Sequence, residues 1–165
     1  MTTTDLVAPG TQRSTIIIKR VFDLPPDIVW KAWTEPASLK KWWGPQEYTC
    51  PFFEVDLKPG GKYLGCMKDA TGREIWGTGT YQEIIPQSKI VYTDSFADSN
   101  GNIVKSTYYG MPEMPVELMV VVQFEDVAGK TNMTLKHAGL PADMATDCIK
   151  GWESSFDKLE TNLKR

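Results

Sequence analysis

His137 is the only histidine in the chain. It closes a run, Lys130 to His137, in which Met133, Leu135 and His137 recur at every second position, so a strand there turns all three to one face. An inward imidazole changes charge near neutral pH, which suits a general base or a donor that orients a ligand. The plainer reading, preferred here, is a strand-end histidine held by a hydrogen bond. A zinc site needs more His or Cys ligands than this. Cys50, Cys66 and Cys148 are far apart and form no CxxC pair. They read as buried structural thiols of a reducing compartment. Glu54 and Asp56 alternate with Phe53, Val55 and Leu57, so they face away from the interior and do not form the carboxylate pair of a glycosidase. Asp56 beside Lys58 reads as a structural ion pair. Gly77-Thr78-Gly79 lies within a strand and precedes no helix, so it is no phosphate loop. Glycines there mark a bulge or the close passage of another element. No metal, no cofactor and no catalytic residue is expected, and an enzymatic role is not the favoured one.

The stronger signal is aromatic and thioether content. The chain carries six tryptophans and seven methionines. Such residues suit an adaptable apolar pocket with a few polar tips. Trp30 and Trp33 are assigned to the core, and Trp76 is out of phase with Tyr81 unless the glycines bulge. The candidate ligand-binding set is Tyr63, Met67, Tyr81, Tyr92, Met119, Met133, His137, Cys148, Trp152 and Phe156.

The elements that must position these residues are legible. Thr15 to Phe22 is β-branched and reads as a strand. Leu24-Pro25-Pro26-Asp27 ends it and opens a helix, because proline suits the first turn and Asp27 its positive end. Thr34-Glu35-Pro36 starts a second short helix that stops at Trp42-Trp43-Gly44-Pro45. Strands are expected around Phe53–Leu57 and over 62–68, 74–85 and 88–97, with a turn at Pro59-Gly60-Gly61. Residues 98–115 form a long loop, mobile at the rim of something, with Met111-Pro112-Glu113-Met114-Pro115 as a candidate lid. A last hairpin joins Glu117–Glu125 to Lys130–His137. A long helix over about Ala142 to Lys164 follows, with Met144, Cys148, Trp152, Phe156 (or Ser155), Leu159 and Leu163 on one stripe. Gly151 inside that helix costs about 1 kcal/mol relative to Ala, which calls for a close approach or for room beside Trp152.

With 165 residues the chain is the size of one domain. Residues 1–13 read as a flexible leader and 14–165 as a single domain. The net charge of −3 and the lack of a basic stripe argue against nucleic-acid binding. No apolar run approaches the ~20 residues of a membrane span. The polar start, MTTTDLVAPGTQ, has no hydrophobic signal region, so a cytoplasmic location is expected.

Several stretches together resemble the helix-grip proteins of the START/SRPBCC superfamily, in the branch similar to the C-terminal domain of the activator of the heat-shock-protein-ninety ATPase. They are Arg20-Val21-Phe22, Val29 to Pro36 (VWKAWTEP), Trp42-Trp43-Gly44-Pro45, Asp56 to Gly61 (DLKPGG), Gly79-Thr80-Tyr81, and Gly151-Trp152 with Phe156-Asp157-Lys158-Leu159. Lys58 departs from the arginine common in that family and weakens any bidentate ion pair. The resemblance implies an α+β fold: a curved antiparallel sheet of seven strands wrapped around a long C-terminal helix, with two short helices between the first two strands. It also implies a cavity between sheet and helix for an apolar or aromatic small molecule. The expected function is binding of such a molecule. A chaperone-associated interaction module and a cyclase- or hydrolase-type enzyme using the same cavity are the alternatives.

Overall fold

A computed structural model describes residues 13–163. The leader expected over residues 1–13 therefore lies, but for Arg13, outside the described residues, as does Lys164. Strand β1 (Arg13–Phe22) leads to helices α1 (Pro26–Thr34) and α2 (Pro36–Trp42). Strands β2 (Tyr48–Val55), β3 (Lys62–Asp69), β4 (Glu74–Ile85) and β5 (Lys89–Ala97) follow, then β6 (Leu118–Val127), β7 (Lys130–Pro141) and helix α3 (Ala145–Leu163). All seven strands form one antiparallel sheet in the order β1-β7-β6-β5-β4-β3-β2. This is the α+β helix-grip arrangement, with two short helices after the first strand. Among the described residues no helix is long and apolar enough to cross a membrane.

Pro26 and Pro36 occupy the first turns of α1 and α2, where a missing N–H costs nothing. Val29, Trp33, Leu39 and Trp42 bury the inner faces of the pair. Trp42 Nε1 donates to the Ala32 carbonyl at 2.9 Å, which ties the two helices together. Helix α3 packs on β1 through Arg20, which contacts Glu153 at 3.1 Å and Asp157 at 2.9 Å while its guanidinium lies over the Phe156 ring. Ile16 and Ile18 of β1 and Val120, Val122 and Leu135 of β6 and β7 fill the concave side.

Of the two glycines of β4, Gly79 marks a close passage, while a Cβ on Gly77 would meet only the Ser95 carbonyl at an ordinary 3.6 Å. A Cβ on Gly79 would sit 1.8 Å from the Thr93 carbonyl oxygen and 2.5 Å from the Tyr63 ring. Only a residue without a side chain lets β4 pass there. The turn at Pro59-Gly60-Gly61 is stitched to β4 by reciprocal bonds, Gly60 N to Tyr81 O at 2.7 Å and Tyr81 N to Gly61 O at 2.8 Å. Asp56 and Lys58 make an exposed pair at 3.7 Å. Leu57, expected to continue the strand, lies beyond β2 and is exposed.

Three expectations change. Strand β7 runs on to Pro141, four residues past His137, so the imidazole sits within the sheet and not at its end. The chain then makes a 3-10 turn at Ala142–Met144 before α3 begins. The long segment after β5 is pinned rather than bare: Ile103 bridges Ala97, Val104 N donates to Phe96 O at 3.0 Å, and Ser106–Tyr109 forms a 3-10 turn. The Tyr109 hydroxyl donates to the Ala97 carbonyl and accepts from Trp76 N.

Candidate functional site

Strands β3, β4, β5 and β7 curve away from the middle of α3 and leave a hollow of about 520 Å³ between them. Its walls are mainly apolar. Trp43, Met67, Ile75, Phe96, Leu118 and Leu140 come from α2's end and the sheet, and Met144 and Trp152 from the C-terminal segment. Met111, Met114 and Pro115 of the pinned segment close one side.

One pole is polar. Trp152 Nε1 donates to His137 Nδ1 at 3.1 Å. Nδ1 therefore accepts, which leaves the ring proton on Nε2. Nε2 lies 3.3 Å from Asp94 Oδ2, close enough for charge attraction, but it makes no aligned hydrogen bond. Tyr63 Oη donates to Asp94 Oδ1 at 3.0 Å. Cys148 Sγ lies 3.6 Å from His137 Nδ1. Burial pushes the imidazole's pKa down, but Asp94 and Cys148 outweigh it and carry the value up to about 9. A second proton on Nδ1 would face the indole N–H, so it enters only as Trp152 turns aside. Burial, with the Asp94 charge behind it, holds the Tyr63 phenol well above its ordinary range, so that hydroxyl remains a donor.

Five of the ten candidate residues meet at this hollow: Tyr63, Met67, His137, Cys148 and Trp152. The other five lie elsewhere. Tyr81 and Tyr92 stand behind Tyr63, their ring centroids 6.1 and 5.4 Å from its own, around a gap of about 10 Å³. That is room for about one water. Met133 is fully buried under Trp33, whose Nε1 donates to its sulfur at 3.3 Å. Phe156 is fully buried among Trp33, Trp42 and Trp152. Met119 alternates with the buried Leu118 and Val120, so strand geometry turns it to the other face. Trp76 is directed outward too and packs on Phe52 with centroids 5.4 Å apart. Gly151 borders the hollow, and a Cβ there would meet only Pro45 Cγ, at an ordinary 3.8 Å, so no close approach demands glycine.

Asp94 and Trp43 are the residues sequence reasoning missed. Asp94 stands two positions from Tyr92 on β5, so the period of two puts it on the inward face. Its charge alone argues for the outside. Cys148 departs from the buried structural role expected of it, because it is only partly buried and borders the hollow. Among the described residues no group of three or more His, Cys, Asp or Glu side chains is arranged to hold a metal ion.

Comparison with solved structures bears on about nine-tenths of the chain. A crystal structure of a Chromobacterium violaceum protein is 25% identical, with a TM-score of 0.74 over 92% of this chain and 97% of that one. The crystal structure of the AHSA1 protein from Silicibacter pomeroyi is 23% identical, with a TM-score of 0.73 over 92% and 98%. A solution structure from Arthrobacter aurescens reaches a TM-score of 0.75 at 23% identity over 91% and 86%. Comparison with curated proteins gives no match. The family model described as activator of Hsp90 ATPase homolog 1-like protein matches residues 23–164. With the helix-grip sheet, the paired Pro-led helices and the Trp42-Trp43-Gly44-Pro45 corner in place, the chain belongs to that family, a branch of the START/SRPBCC superfamily.

Proposed function

We propose that the protein binds an apolar or aromatic small molecule in the hollow between the sheet and α3. The observation that carries this reading is the hollow itself, about 520 Å³ with apolar walls and one cluster of oriented polar groups. Ligand sites commonly have about 300–1,000 Å³ and the same division of labour. Burial of the ligand's apolar surface supplies the affinity, at roughly 25 cal/mol per Å². The polar pole selects a ligand with one hydrogen-bonding group: the partly exposed Asp94 carboxylate, which borders the hollow, offers an acceptor.

The test is a titration with N-phenyl-1-naphthylamine, an uncharged aromatic fluorophore, read by its own emission and by quenching of the tryptophan emission. Saturable binding is expected, weakened about tenfold by Trp152→Ala and abolished by Met67→Trp, which fills the space. Absence of saturable binding for this probe and for a panel of aromatic and fatty compounds overturns the reading.

A further inference from the structure

The three thiols of the chain have different surroundings. Cys50 and Cys66 are buried. Burial pushes both upward in pKa, Cys66 to about 11, so both stay protonated and inert. Cys148 is only partly buried and borders the hollow. Its Sγ lies 3.6 Å from His137 Nδ1, and His137 Nε2 lies 3.3 Å from Asp94 Oδ2. The three side chains come from α3, β7 and β5 and line one hollow. The imidazole between them is 4% exposed, and its Nε2 has no aligned hydrogen-bond partner. A thiol, a base and a carboxylate in series are the parts by which a sulfur nucleophile is activated, whatever the fold that carries them.

We propose that Cys148 is a nucleophile that captures an electrophilic ligand of the hollow, an α,β-unsaturated carbonyl compound with an aromatic or apolar body. This deepens the binding reading above and rests on it. His137 is the base and Asp94 is a positioning residue that holds the imidazole. As Trp152 turns aside, the thiol proton passes from Sγ to Nδ1 before the ligand is attacked, leaving a thiolate beside an imidazolium. The sulfur forms a bond to the β-carbon, and the carbon–carbon π pair moves toward the carbonyl as an enolate. His137 then returns the proton to the α-carbon. One S–H bond and one π bond are lost, one S–C and one C–H bond are formed, and no oxidant, water or leaving group takes part. Conjugate addition fits better than acyl transfer. It returns one proton, which Nδ1 carries, and expels nothing, whereas acyl transfer must also protonate and release a leaving group. The titratable groups around the imidazole are Asp94 from β5, Cys148 from α3 and, behind Asp94, Tyr63 from β3; Asp147 also borders the hollow.

The experiment uses N-phenylmaleimide, an aromatic compound of this class, with intact-mass kinetics and peptide mapping between pH 6 and 8. N-phenylsuccinimide, which lacks the double bond, serves as a competitor. One adduct is expected, on Cys148, at pH 6 at least tenfold faster than on glutathione, with a nearly flat rate across the range. His137→Gln and Asp94→Asn should each slow it at least tenfold at pH 6 and restore a tenfold rise per pH unit. The flat profile of the unaltered protein decides the matter if either variant fails to fold. A Cys148 rate no faster than glutathione, a steep profile in the unaltered protein, or first labelling at Cys50 or Cys66 overturns the proposal. Protection by N-phenylsuccinimide without fast labelling removes the nucleophile and leaves the binding reading standing. Fast labelling without protection overturns the proposal, because the hollow is then not where the electrophile is held.

Discussion

The indole N–H of Trp152 donates to Nδ1 of His137 across 3.1 Å and so joins α3 to β7 at the wall of the hollow. That bond requires a neutral ring, while Asp94 and Cys148 draw a second proton onto it. The folded-state value of about 9 exceeds the ordinary 6.5, so the protonated ring favours the folded state. The stabilisation is fully present below about pH 6.5 and is lost as pH rises through about 9. Its ceiling is about 3 kcal/mol, reduced by whatever is spent in displacing the indole. Urea unfolding of the unaltered protein and of His137→Gln at pH 6 and pH 9.5 checks this. The advantage of histidine should shrink at the higher pH, and a pH-independent difference would contradict it.

Gly79 should tolerate no side chain. A methyl placed 1.8 Å from the Thr93 carbonyl oxygen forces β4 and β5 apart, since the obstruction is backbone. Gly79→Ala is expected to cost more than about 3 kcal/mol or to prevent folding. A melting temperature within a few degrees of the parent would show that the passage is not tight.

Gly151→Ala should act in the opposite direction. The new methyl meets Pro45 Cγ at 3.8 Å and nothing closer, while the helix interior gains up to about 1 kcal/mol. A higher urea midpoint is expected. The same methyl narrows the hollow, so affinity for N-phenyl-1-naphthylamine should fall as stability rises. A destabilised variant would point to a contact that the helix hides.

Arg20 links β1 to α3 through Glu153, Asp157 and the face of Phe156. The two carboxylates are about half exposed, so the electrostatic share is modest, roughly 1 kcal/mol. Arg20→Met should keep the packing over Phe156 and lose that share, and 1 M salt should erase most of the difference between the two proteins. Equal differences at low and high salt would mean that packing alone is at stake.

Phe156→Ala should cost about 3–5 kcal/mol, since its ring is fully enclosed, while Met119→Ala on the far side of β6 should cost under about 1 kcal/mol. Paired thermal melts separate the two; similar losses would mean that Met119 is packed inward after all.

The order of strands and helices was legible because it rests on local chemistry: Pro-led helix starts, the Pro59-Gly60-Gly61 turn, and the helical stripe through Trp152 and Phe156. His137 is legible as inward because polar residues interrupt β7 at every second position. Strand β6 offers no such contrast. Leu118-Met119-Val120-Val121-Val122 is apolar throughout, and only Gln123 and Glu125 at its far end betray which phase is outward. Trp152 and Phe156 are one helical turn apart on the same face, so the helix pattern cannot tell them apart. Where the hollow opens along that face depends on how strongly the sheet curves, a property of seven strands together. Asp94 is illegible in the sequence for a different reason. A carboxylate inside a sheet is affordable only with partners, and those partners, Tyr63 and His137, are 31 and 43 residues distant along the chain.

Met111, Met114 and Pro115 border the hollow from a segment that belongs to no helix and no strand. Tyr109 and Ser106 moor that segment from behind, through Ala97, Trp76 and Pro112. One wall of the chamber is thus made of replaceable side chains on a tethered span, while the sheet and terminal helix supply the rest. Guest preference can drift by exchanges at those few positions without renegotiating any strand register, which gives this architecture a cheap route from one occupant to another.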